Sequence, residues 1–553
     1  MLELRILPSI AKVFPQEVPP ACAPRFSGLI NEVISFQLAY RQTPGTAWFH
    51  GWLAVEIDSP AKAFIRLRRV RYVPVRIAAF PDADKHYLCQ GQPGLYPDPL
   101  MELPSQGLRL PPDSWEALWI DAAPDGALPP GDYPVVISFL NADNGALLAR
   151  TDLTLHIIGA RLPHQSLWYT RWLHTDCLAE WYNVEVFSED YWRITENYLR
   201  CMTRRGINTV LTPIHSPPLD TRPGSYRPPV QLVDITLSKG EYTFDFTRLQ
   251  RWVDLCLRSG IEHFEMAHLF TQWGAAFAPQ IHADTSCGRR RIFGWDTPAT
   301  DKAYASFLQA YLPALTNALR ELGIDRHVIF HISDEPDESH LSDYAAARAL
   351  VKDLLKGYPV MDALSNVSFY DQGIVDHPIP ATSHIDPFLR RNIPGLWTYY
   401  CCGQGVDVSN QFIALPGGRT RVLGVQLYKH GIAGFLHWGF NFYYSQFSDN
   451  LINPWLDTDC DGFSQAGDGF QVYPGRDGCP VESQRIMLTA QALQDLRALM
   501  LLESLSDRET VLSIIDQGIP SLTFSRYPQD NDSILRLRAR VNDEIEKRLP
   551  KAS

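Results

Sequence analysis

The sequence predicts a multidomain β plus α/β protein, in which an N-terminal antiparallel β-sandwich is followed by a (β/α)8 barrel of the TIM type. Up to about residue 162, apolar and polar residues alternate in short runs between turn signals. Beyond that point, short β-branched or aromatic runs are separated by longer amphipathic stretches. We therefore expect a sandwich domain over residues 1–162, a barrel over 163–505 and a C-terminal helical appendix over 506–553.

The sandwich is predicted from an alternation of period two. Residues 33–40, 64–73 and 133–140 place apolar side chains at every second position, which is typical of strands with one buried face. A proline-rich segment at 95–100 predicts a turn at the rim, and proline near residue 163 indicates a linker to the next domain.

The barrel is predicted from eight short apolar or aromatic runs, which we expect to be strands alternating with helices. The runs lie at residues 167–172, 209–213, 263–268, 328–333, 360–364, 379–385, 396–402 and 434–442. Apolar residues that recur every three or four positions predict helices at 189–205, 246–259, 301–322 and 339–356. A further amphipathic helix at 484–503 could close the barrel.

Composition excludes several classes of partner. The chain has 62 acidic and 50 basic residues and a formal charge of -12, without the basic patch that nucleic acid binding requires. No stretch approaches the roughly 18 consecutive apolar residues of a membrane span, so we expect no membrane association. The first residues lack the pattern of a signal peptide, which predicts a cytoplasmic location. The oligomeric state stays open.

The cysteine and histidine spacings do not predict a metal site. None of the ten cysteines lies in a C-x-x-C pattern. His174, His215, His268 and His437 have no mutual spacing of the kind that metal ligands show. We therefore expect neither a metal nor another cofactor.

The carboxyl ends of the predicted strands carry the functional residues if the fold is a barrel. These ends combine carboxylates, amides, imidazoles and aromatic rings, which bond sugar hydroxyls and cover the apolar faces of a sugar ring. We therefore predict an oligosaccharide or glycoconjugate substrate, bound by His174, Asp176, His268, Gln272, Trp273, Asp362, Tyr399, His437, Trp438 and Asn441.

Two adjacent acids, Asp334 and Glu335, end the apolar run at 328–333 and are followed by Pro336. Two carboxylates at the end of a buried strand are costly unless a solvated site surrounds them, so we predict that both are catalytic. The next acids, Asp337 and Glu338, fit the start of the following helix instead.

The absence of a second glutamate limits the reaction mechanism. Glycosidases ordinarily place two carboxylates on opposite sides of the anomeric carbon, which sequence neighbours can hardly do. Residues 339–481 contain no Glu, although Asp362, Asp386 and Asp407 stay possible as nucleophiles. The economical alternative is substrate assistance, in which the sugar's own 2-acetamido oxygen attacks the anomeric carbon.

Under substrate assistance an adjacent Asp-Glu pair is sufficient. Glu335 would protonate the departing glycosidic oxygen and later accept a proton from the attacking water. Asp334 would accept the acetamido N–H and stabilise the positively charged intermediate. Its charge would also help to keep Glu335 protonated until the proton is needed.

Five segments carry a resemblance to a known family: Ser-Asp-Glu-Pro at 333–336, Trp-Thr-Tyr-Tyr-Cys-Cys at 397–402, Gly-Phe-Leu-His-Trp-Gly at 434–439, Tyr-Pro-Gly at 473–475 and Ser-Gln-Arg at 483–485. Together they resemble the family described as domain of unknown function 4091, whose characterised relatives form glycoside hydrolase family 123, retaining β-N-acetylgalactosaminidases. The resemblance spans both predicted domains and implies a sandwich followed by a catalytic barrel.

The resemblance implies an orienting role for Asp334 and an acid/base role for Glu335. It also matches Tyr399 to a tyrosine that bonds the acetamido oxygen, whereas His437 stands where relatives often carry Tyr. The leading hypothesis is a retaining hydrolase of a β-linked N-acetylhexosamine, most simply N-acetylgalactosamine. The alternatives are a glycosidase for a sugar without the acetamido group, with an Asp nucleophile, and a catalytically silent carbohydrate-binding protein.

Overall fold

A computed structural model describes residues 2–86 and 88–550 and divides the chain into two compact units. The first unit comprises Met1–Gln165, Gly405–His430 and Val481–Ser553, and the second comprises Ser166–Gln404 and Gly431–Pro480. Because these units are discontinuous in sequence, the predicted domain boundaries at residues 162 and 505 stay a prediction.

Strands and short helices make up both units. The strands are β1 (Leu2–Pro8), β2 (Arg25–Leu29), β3 (Ile34–Gln42), β4 (Leu53–Asp58), β5 (Ile65–Val75), β6 (Gly94–Glu102), β7 (Glu116–Ala122), β8 (Gly131–Asn141), β9 (Leu147–Ile158), β10 (Trp168–Arg171), β11 (Thr209–Thr212), β12 (Asp234–Ser238), β13 (Glu241–Asp245), β14 (His263–Met266), β15 (Ile281–Thr285), β16 (Gly288–Phe293), β17 (Val328–Ile329), β18 (Met361–Ala363), β19 (His377–Ile379), β20 (Trp397–Tyr399), β21 (Gly434–His437), β22 (Val472–Pro474) and β23 (Pro480–Glu482). The α-helices are α1 (Thr175–Trp181), α2 (Glu189–Arg204), α3 (Thr247–Arg258), α4 (Lys302–Glu321), α5 (Leu341–Val351), α6 (Ser368–Asp371), α7 (Asp386–Leu389), α8 (Gly417–Arg421), α9 (Leu423–His430), α10 (Gln484–Leu505), α11 (Arg508–Gly518) and α12 (Asp532–Arg548). Across residues 2–86 and 88–550, no helix has both the length and the apolar character needed to cross a membrane.

The N-terminal part of the first unit contains two facing sheets, as the alternating runs predict. One sheet has the antiparallel order β1-β3-β7-β5-β6, and the other has the order β2-β9-β8-β4, in which only the β2–β9 pair is parallel. Apolar side chains from both sheets form one core, in which the rings of Tyr40 and Phe139 lie 5.0 Å apart. Burial of these alternating side chains stabilises the pair of sheets.

Buried ion pairs hold the helices of the first unit. Asp495 of α10 accepts hydrogen bonds from Arg421 of α8 (2.7 Å) and Arg538 of α12 (2.8 Å). Arg538 also bonds Glu32, at 2.6 Å, and Arg485 bonds Asp98, at 2.9 Å. The sequence analysis offered the helix at 484–503 as one that could close the barrel, but α10 lies in the same compact unit as the sandwich.

A curled parallel sheet forms the centre of the second unit. Its order is β17-β14-β11-β10-β21-β20, and every pairing is parallel. Strands β18 and β19 form a separate two-stranded parallel sheet. Each of the eight predicted runs contains one of these strands or overlaps it. The four predicted helices are confirmed: α2, α3 and α4 agree within one residue at each end, and α5 begins two residues later and ends five residues earlier than predicted.

The prediction of a closed (β/α)8 barrel is wrong, because the parallel sheet does not close on itself. The six-stranded sheet is a parallel half-barrel, and in the described chain the two-stranded sheet meets it at two isolated residue pairs, Phe330 with Val360 and Ala381 with Tyr399. The Phe330 N–H still donates to the Pro359 carbonyl at 3.0 Å, but further along the chain the N–H groups of Ile332 and Ser333 donate to the Asp362 carboxylate rather than to a strand. The carboxyl ends of the parallel strands still share one edge.

Candidate active site

The segment that carries the two adjacent acids is held from both sides. The Ile332 N–H donates to Asp362 at 2.9 Å, and the Ser333 hydroxyl donates to the Thr271 carbonyl at 2.7 Å. Two residues after Ser333, the Glu335 N–H donates to the Ala363 carbonyl at 2.9 Å. These bonds fix the backbone that places the two carboxyl groups.

The backbone at Glu335 explains how two neighbouring side chains face the same cavity. In an extended strand, neighbours point to opposite faces. Glu335 has a φ of +46°, in the left-handed region, and Pro336 follows it. This turn breaks the alternation, so that Asp334 and Glu335 both line one pocket at the edge of the parallel sheet.

The pocket combines aromatic rings with a small number of polar groups. Besides the two acids, its wall includes Trp172, His174, Asp220, Gln272, Trp273, Tyr399, Trp438, Phe442 and Phe463. Aromatic faces suit the apolar faces of a sugar ring, while the amide, imidazole and carboxylates suit its hydroxyls. The lining therefore has the chemistry of a carbohydrate site.

Burial dominates the electrostatics of the acid pair. Asp334 is 8% exposed, and its carboxylate accepts no hydrogen bond from the described residues, whereas Glu335 accepts one from the Tyr399 hydroxyl at 2.6 Å. Burial, followed by the charge of Glu335, raises the pKa of Asp334 well above its usual value. Burial also raises the pKa of Glu335, and the Tyr399 bond opposes that rise. Burial of both carboxyl groups disfavours the state in which Asp334 and Glu335 are ionised at the same time.

The buried imidazole of His331 influences the charge of the acid pair, Asp334 and Glu335. His331 lies 2.7 Å from Glu265 and 3.4 Å from Asp362. Although burial by itself would lower it, the bonds to Asp362 and Glu265 raise the pKa of His331 to about 10. The imidazolium lowers the pKa of Asp334, and so favours its ionised form.

Seven of the twelve predicted site residues reach the pocket wall: His174, Gln272, Trp273, Asp334, Glu335, Tyr399 and Trp438. Two of them are further fixed by the chain. The Trp438 indole donates to Asp468 at 2.8 Å, and the Trp273 N–H donates to the Asp334 carbonyl at 2.7 Å. Burial lowers the pKa of His174 to about 4, so its imidazole is neutral at pH 7.

The other five predicted residues do not line the pocket and are buried: Asp176, His268, Asp362, His437 and Asn441. Four of them bond protein groups, whereas His268 stacks on His331 and neither of its ring nitrogens has a hydrogen-bond partner among the described residues. Asp176 pairs with Arg227 at 2.6 Å. The Asn441 side chain exchanges hydrogen bonds with the backbone of His174, at 2.9 and 3.0 Å. These contacts support the wall, and the prediction that such residues bind substrate directly stays a prediction.

Imidazole and carboxylate groups below the pocket also meet the distance criterion for a metal site. In the described residues, one group of this kind is present, formed by His268, His331 and Asp362, with donor atoms within 4.8 Å of one another. Asp362, however, already accepts bonds from two backbone N–H groups and from the Tyr344 hydroxyl. His331 lies between Asp362 and Glu265, whereas neither ring nitrogen of His268 has a hydrogen-bond partner among the described residues.

Two further carboxylates at the site were missed in the sequence. Asp220 is 6% exposed, lines the pocket, and has no hydrogen bond of normal geometry to either carboxylate oxygen. Burial raises the pKa of Asp220 to about 6, against the Arg227 charge and nearby N–H groups. Asp468 holds Trp438 and lies 3.2 Å from His437. Asp220 follows β11 in an irregular segment, where its position after a strand was the available signal.

Comparisons with known proteins identify the family of the chain and a solved structure with a similar fold. Residues 172–502 match the model of the family described as Glycoside hydrolase 123, catalytic domain. The fold is similar to that of a family 123 glycoside hydrolase from Clostridium perfringens, described for glycolipid glycan hydrolysis, with a TM-score of 0.72, 15% identity, and coverage of 99% of this chain and 98% of that one. A putative beta-galactosidase from Bacteroides fragilis, with a TM-score of 0.33, 10% identity and coverage of 88% and 60%, is too different to support an argument. No curated protein sequence matches significantly.

Proposed function

Because the chain belongs to glycoside hydrolase family 123 and is therefore a glycosidase, we propose that it hydrolyses a β-linked N-acetylhexosamine with retention of configuration. The sugar is most simply N-acetylgalactosamine, released from an oligosaccharide or glycoconjugate. The observation that carries the proposal is the shared cavity of Asp334 and Glu335. Among the described residues, none of the three Asp nucleophiles considered from the sequence, Asp362, Asp386 and Asp407, lines that cavity.

In the first step, the protonated Glu335 gives its proton to the glycosidic oxygen as the bond from that oxygen to the anomeric carbon breaks. The acetamido oxygen of the same sugar attacks the anomeric carbon and closes a positively charged ring. Asp334 accepts the acetamido N–H and stabilises this charge. The substrate N–H gives Asp334 the hydrogen bond that the described residues do not provide, which favours ionised Asp334, while Glu335 stays protonated.

In the second step, water attacks the anomeric carbon from the side that the leaving group has vacated. Glu335, now ionised, takes the proton of the water, and the acetamido group is restored. A tyrosine hydroxyl has one proton to donate, so Tyr399 can bond either ionised Glu335 or the acetamido oxygen. We propose that it turns to the acetamido oxygen when Glu335 is protonated.

The test compares aryl β-glycosides with and without the 2-acetamido group. We expect turnover of the N-acetyl sugar and a kcat/KM that falls steadily as the acetamido methyl is fluorinated, because fluorine makes the attacking oxygen less nucleophilic. Turnover of only the plain sugar, or a rate insensitive to fluorination, would show that the acetamido group does not participate.

A second candidate rests on Asp220, the third carboxylate of the pocket wall. Its unpartnered oxygens would serve as a nucleophile toward a sugar that lacks the acetamido group. In that case Asp220→Asn would abolish turnover, and added azide would restore turnover with a glycosyl azide as the product. Under substrate assistance, Asp220 instead accepts hydrogen bonds from hydroxyl groups of the sugar, and added azide yields no glycosyl azide.

A further inference from the structure

Two adjacent cysteines, Cys401 and Cys402, line the pocket beside the acid pair. Both are free thiols, and both are partly exposed. The Cys401 sulfur lies 3.9 Å from Oε1 of Glu335, the same oxygen that accepts the Tyr399 hydroxyl. A ligand bound to these thiols would therefore lie against the proposed general acid.

Hydrogen bonds of the main chain hold the two thiols in the pocket wall. The Cys401 N–H donates to the Gln404 side chain at 2.8 Å, and the Gln404 N–H donates to the Cys401 carbonyl at 3.1 Å. The Cys402 carbonyl accepts the Gln465 amide at 3.4 Å. A hydrogen bond between the two thiols, followed by burial, raises the pKa of Cys401 well above its usual value. The two sulfur atoms are therefore neighbours, and the Cys401 thiol is protonated at neutral pH.

Two neighbouring thiols can be joined by a disulfide bond, by a soft metal ion or by trivalent arsenic. A disulfide ordinarily links Cα atoms about 4.4–6.8 Å apart, whereas adjacent Cα atoms across a trans peptide lie about 3.8 Å apart. A soft cation such as Zn²⁺ binds thiolates, so it has to displace protons that the raised pKa of Cys401 retains. Trivalent arsenic forms two bonds to sulfur and removes both protons as water. Of the three, arsenic therefore suits a protonated pair of adjacent thiols best.

We propose that Cys401 and Cys402 form a binding site for trivalent arsenicals, and that an arsenical bound there blocks the pocket. With phenylarsine oxide, two S–H bonds and the bonds from arsenic to oxygen break, two As–S bonds form, and the oxygen leaves with both protons as water. Arsenic stays trivalent throughout, so the step needs no oxidant or reductant. The phenyl group then takes up space next to Glu335 that a bound sugar would need. This blocking effect rests on the proposed function, whereas the binding of arsenic does not.

Native mass spectrometry of the reduced protein tests the binding. An equimolar amount of phenylarsine oxide should add a single phenylarsenic group to the wild-type chain, and 2,3-dimercaptopropanol, a competing dithiol, should remove it. The adduct should be lost in Cys401→Ser and in Cys402→Ser, because the thiol that remains forms only a single bond to arsenic. The control, Cys287→Ser/Cys479→Ser, removes two exposed thiols and should keep the adduct. An adduct that persists in both pocket variants, or no adduct in the wild type, would overturn the proposal.

Hydrolysis of the aryl N-acetyl-β-glycoside tests the blocking effect. As phenylarsine oxide is added, the rate of the wild type should fall in proportion to the fraction of protein that carries the adduct, and dimercaptopropanol should restore the rate. Treated Cys402→Ser should keep its own untreated rate, whereas the treated control variant should be inhibited like the wild type. An adduct that leaves the wild-type rate unchanged would refute the blocking effect. If the untreated protein hydrolyses no glycoside, the proposed function fails, while the mass measurement still decides whether the thiol pair binds arsenic.

Discussion

In the described part of the first unit, buried carboxylates lie beside arginine side chains, whereas two carboxylates in the pocket of the second unit do not. Asp495 lies between Arg421 and Arg538, and Arg485 is bonded to Asp98. In the pocket of the second unit, by contrast, the Asp334 and Asp220 carboxylates receive no hydrogen bond of normal geometry from the described residues. A buried charge with a partner in the chain fixes the fold, whereas one without a partner raises the free energy of the empty protein and is stabilised by a ligand.

The acid pair proposed to be catalytic, Asp334 and Glu335, should give the largest effect. Glu335→Gln removes the transferable proton but keeps the shape, so we expect kcat/KM on a substrate with a poor leaving group to fall by about 10²- to 10⁴-fold. A dinitrophenyl glycoside, whose leaving group needs no proton, should lose much less in its first step. An equal loss on both substrates would remove Glu335 from the role of general acid.

The paired charges of the first unit should respond in stability. Asp495→Ala leaves Arg421 and Arg538 buried without this partner, and we expect the free energy of unfolding to fall by about 3–5 kcal/mol in denaturant titrations. The exposed pair of Arg66 and Glu102 provides the control, since Glu102→Ala should change stability little. Similar losses in both variants would contradict the distinction between buried and exposed pairs.

The unpartnered Asp220 should behave in the opposite way. Burial raises its pKa from 3.8 to about 6 in the folded protein, so between these values the folded state binds more protons and stability falls as pH rises. Above about pH 6 the full cost is present, and Asp220→Asn should therefore raise the free energy of unfolding by up to about 3 kcal/mol while lowering kcat/KM.

Denaturant titrations across pH 4 to 8 test whether Asp220→Asn raises the free energy of unfolding as expected. The exposed Asp254→Asn, on α3, serves as the control and should leave the pH dependence unchanged. If Asp220→Asn lowered the free energy of unfolding at neutral pH, the Asp220 carboxylate would have stabilising partners in the folded protein, contrary to this prediction.

The smallest expected effect concerns the hydroxyl that faces Glu335. Because the Tyr399 bond opposes the rise in the pKa of Glu335, Tyr399→Phe should move the alkaline limb of the kcat/KM profile to higher pH. We also expect kcat/KM to fall about tenfold, by the loss of one hydrogen bond to a charged group. Tyr400→Phe, at a position that does not line the pocket, should shift neither value.

Local patterns predicted much of the fold, and contacts between distant residues decided the rest. Helix α4 and strand β10 follow from periodicity, which adjacent residues determine. Closure of the barrel does not follow from periodicity. Strand β17 ends at Ile329, and the N–H group of Ile332 then bonds the side chain of Asp362, which lies 30 residues further along the chain. The sequence shows which residues are apolar but not which side chain will take the place of a neighbouring strand.

The same distinction applies to the site. Asp334 and Glu335 were predicted because two acids and a proline at the end of an apolar run form a local signal. Asp176 is at a strand end too, but its partner Arg227 lies 51 residues further on and takes up its charge. Asp220 was missed because it lies in an irregular segment, where nothing in the sequence shows that its oxygens will lack partners.

The position of Glu335 in the wall of the pocket also bears on synthesis. Under the proposed mechanism, the cyclic intermediate remains in the pocket after the leaving group has departed, and the ionised Glu335 takes the proton of the hydroxyl that attacks. At high concentration, an acceptor sugar would take the place of water, and the protein would then join two sugars by a new β-linkage. Transglycosylation would therefore need no residue beyond those proposed for hydrolysis.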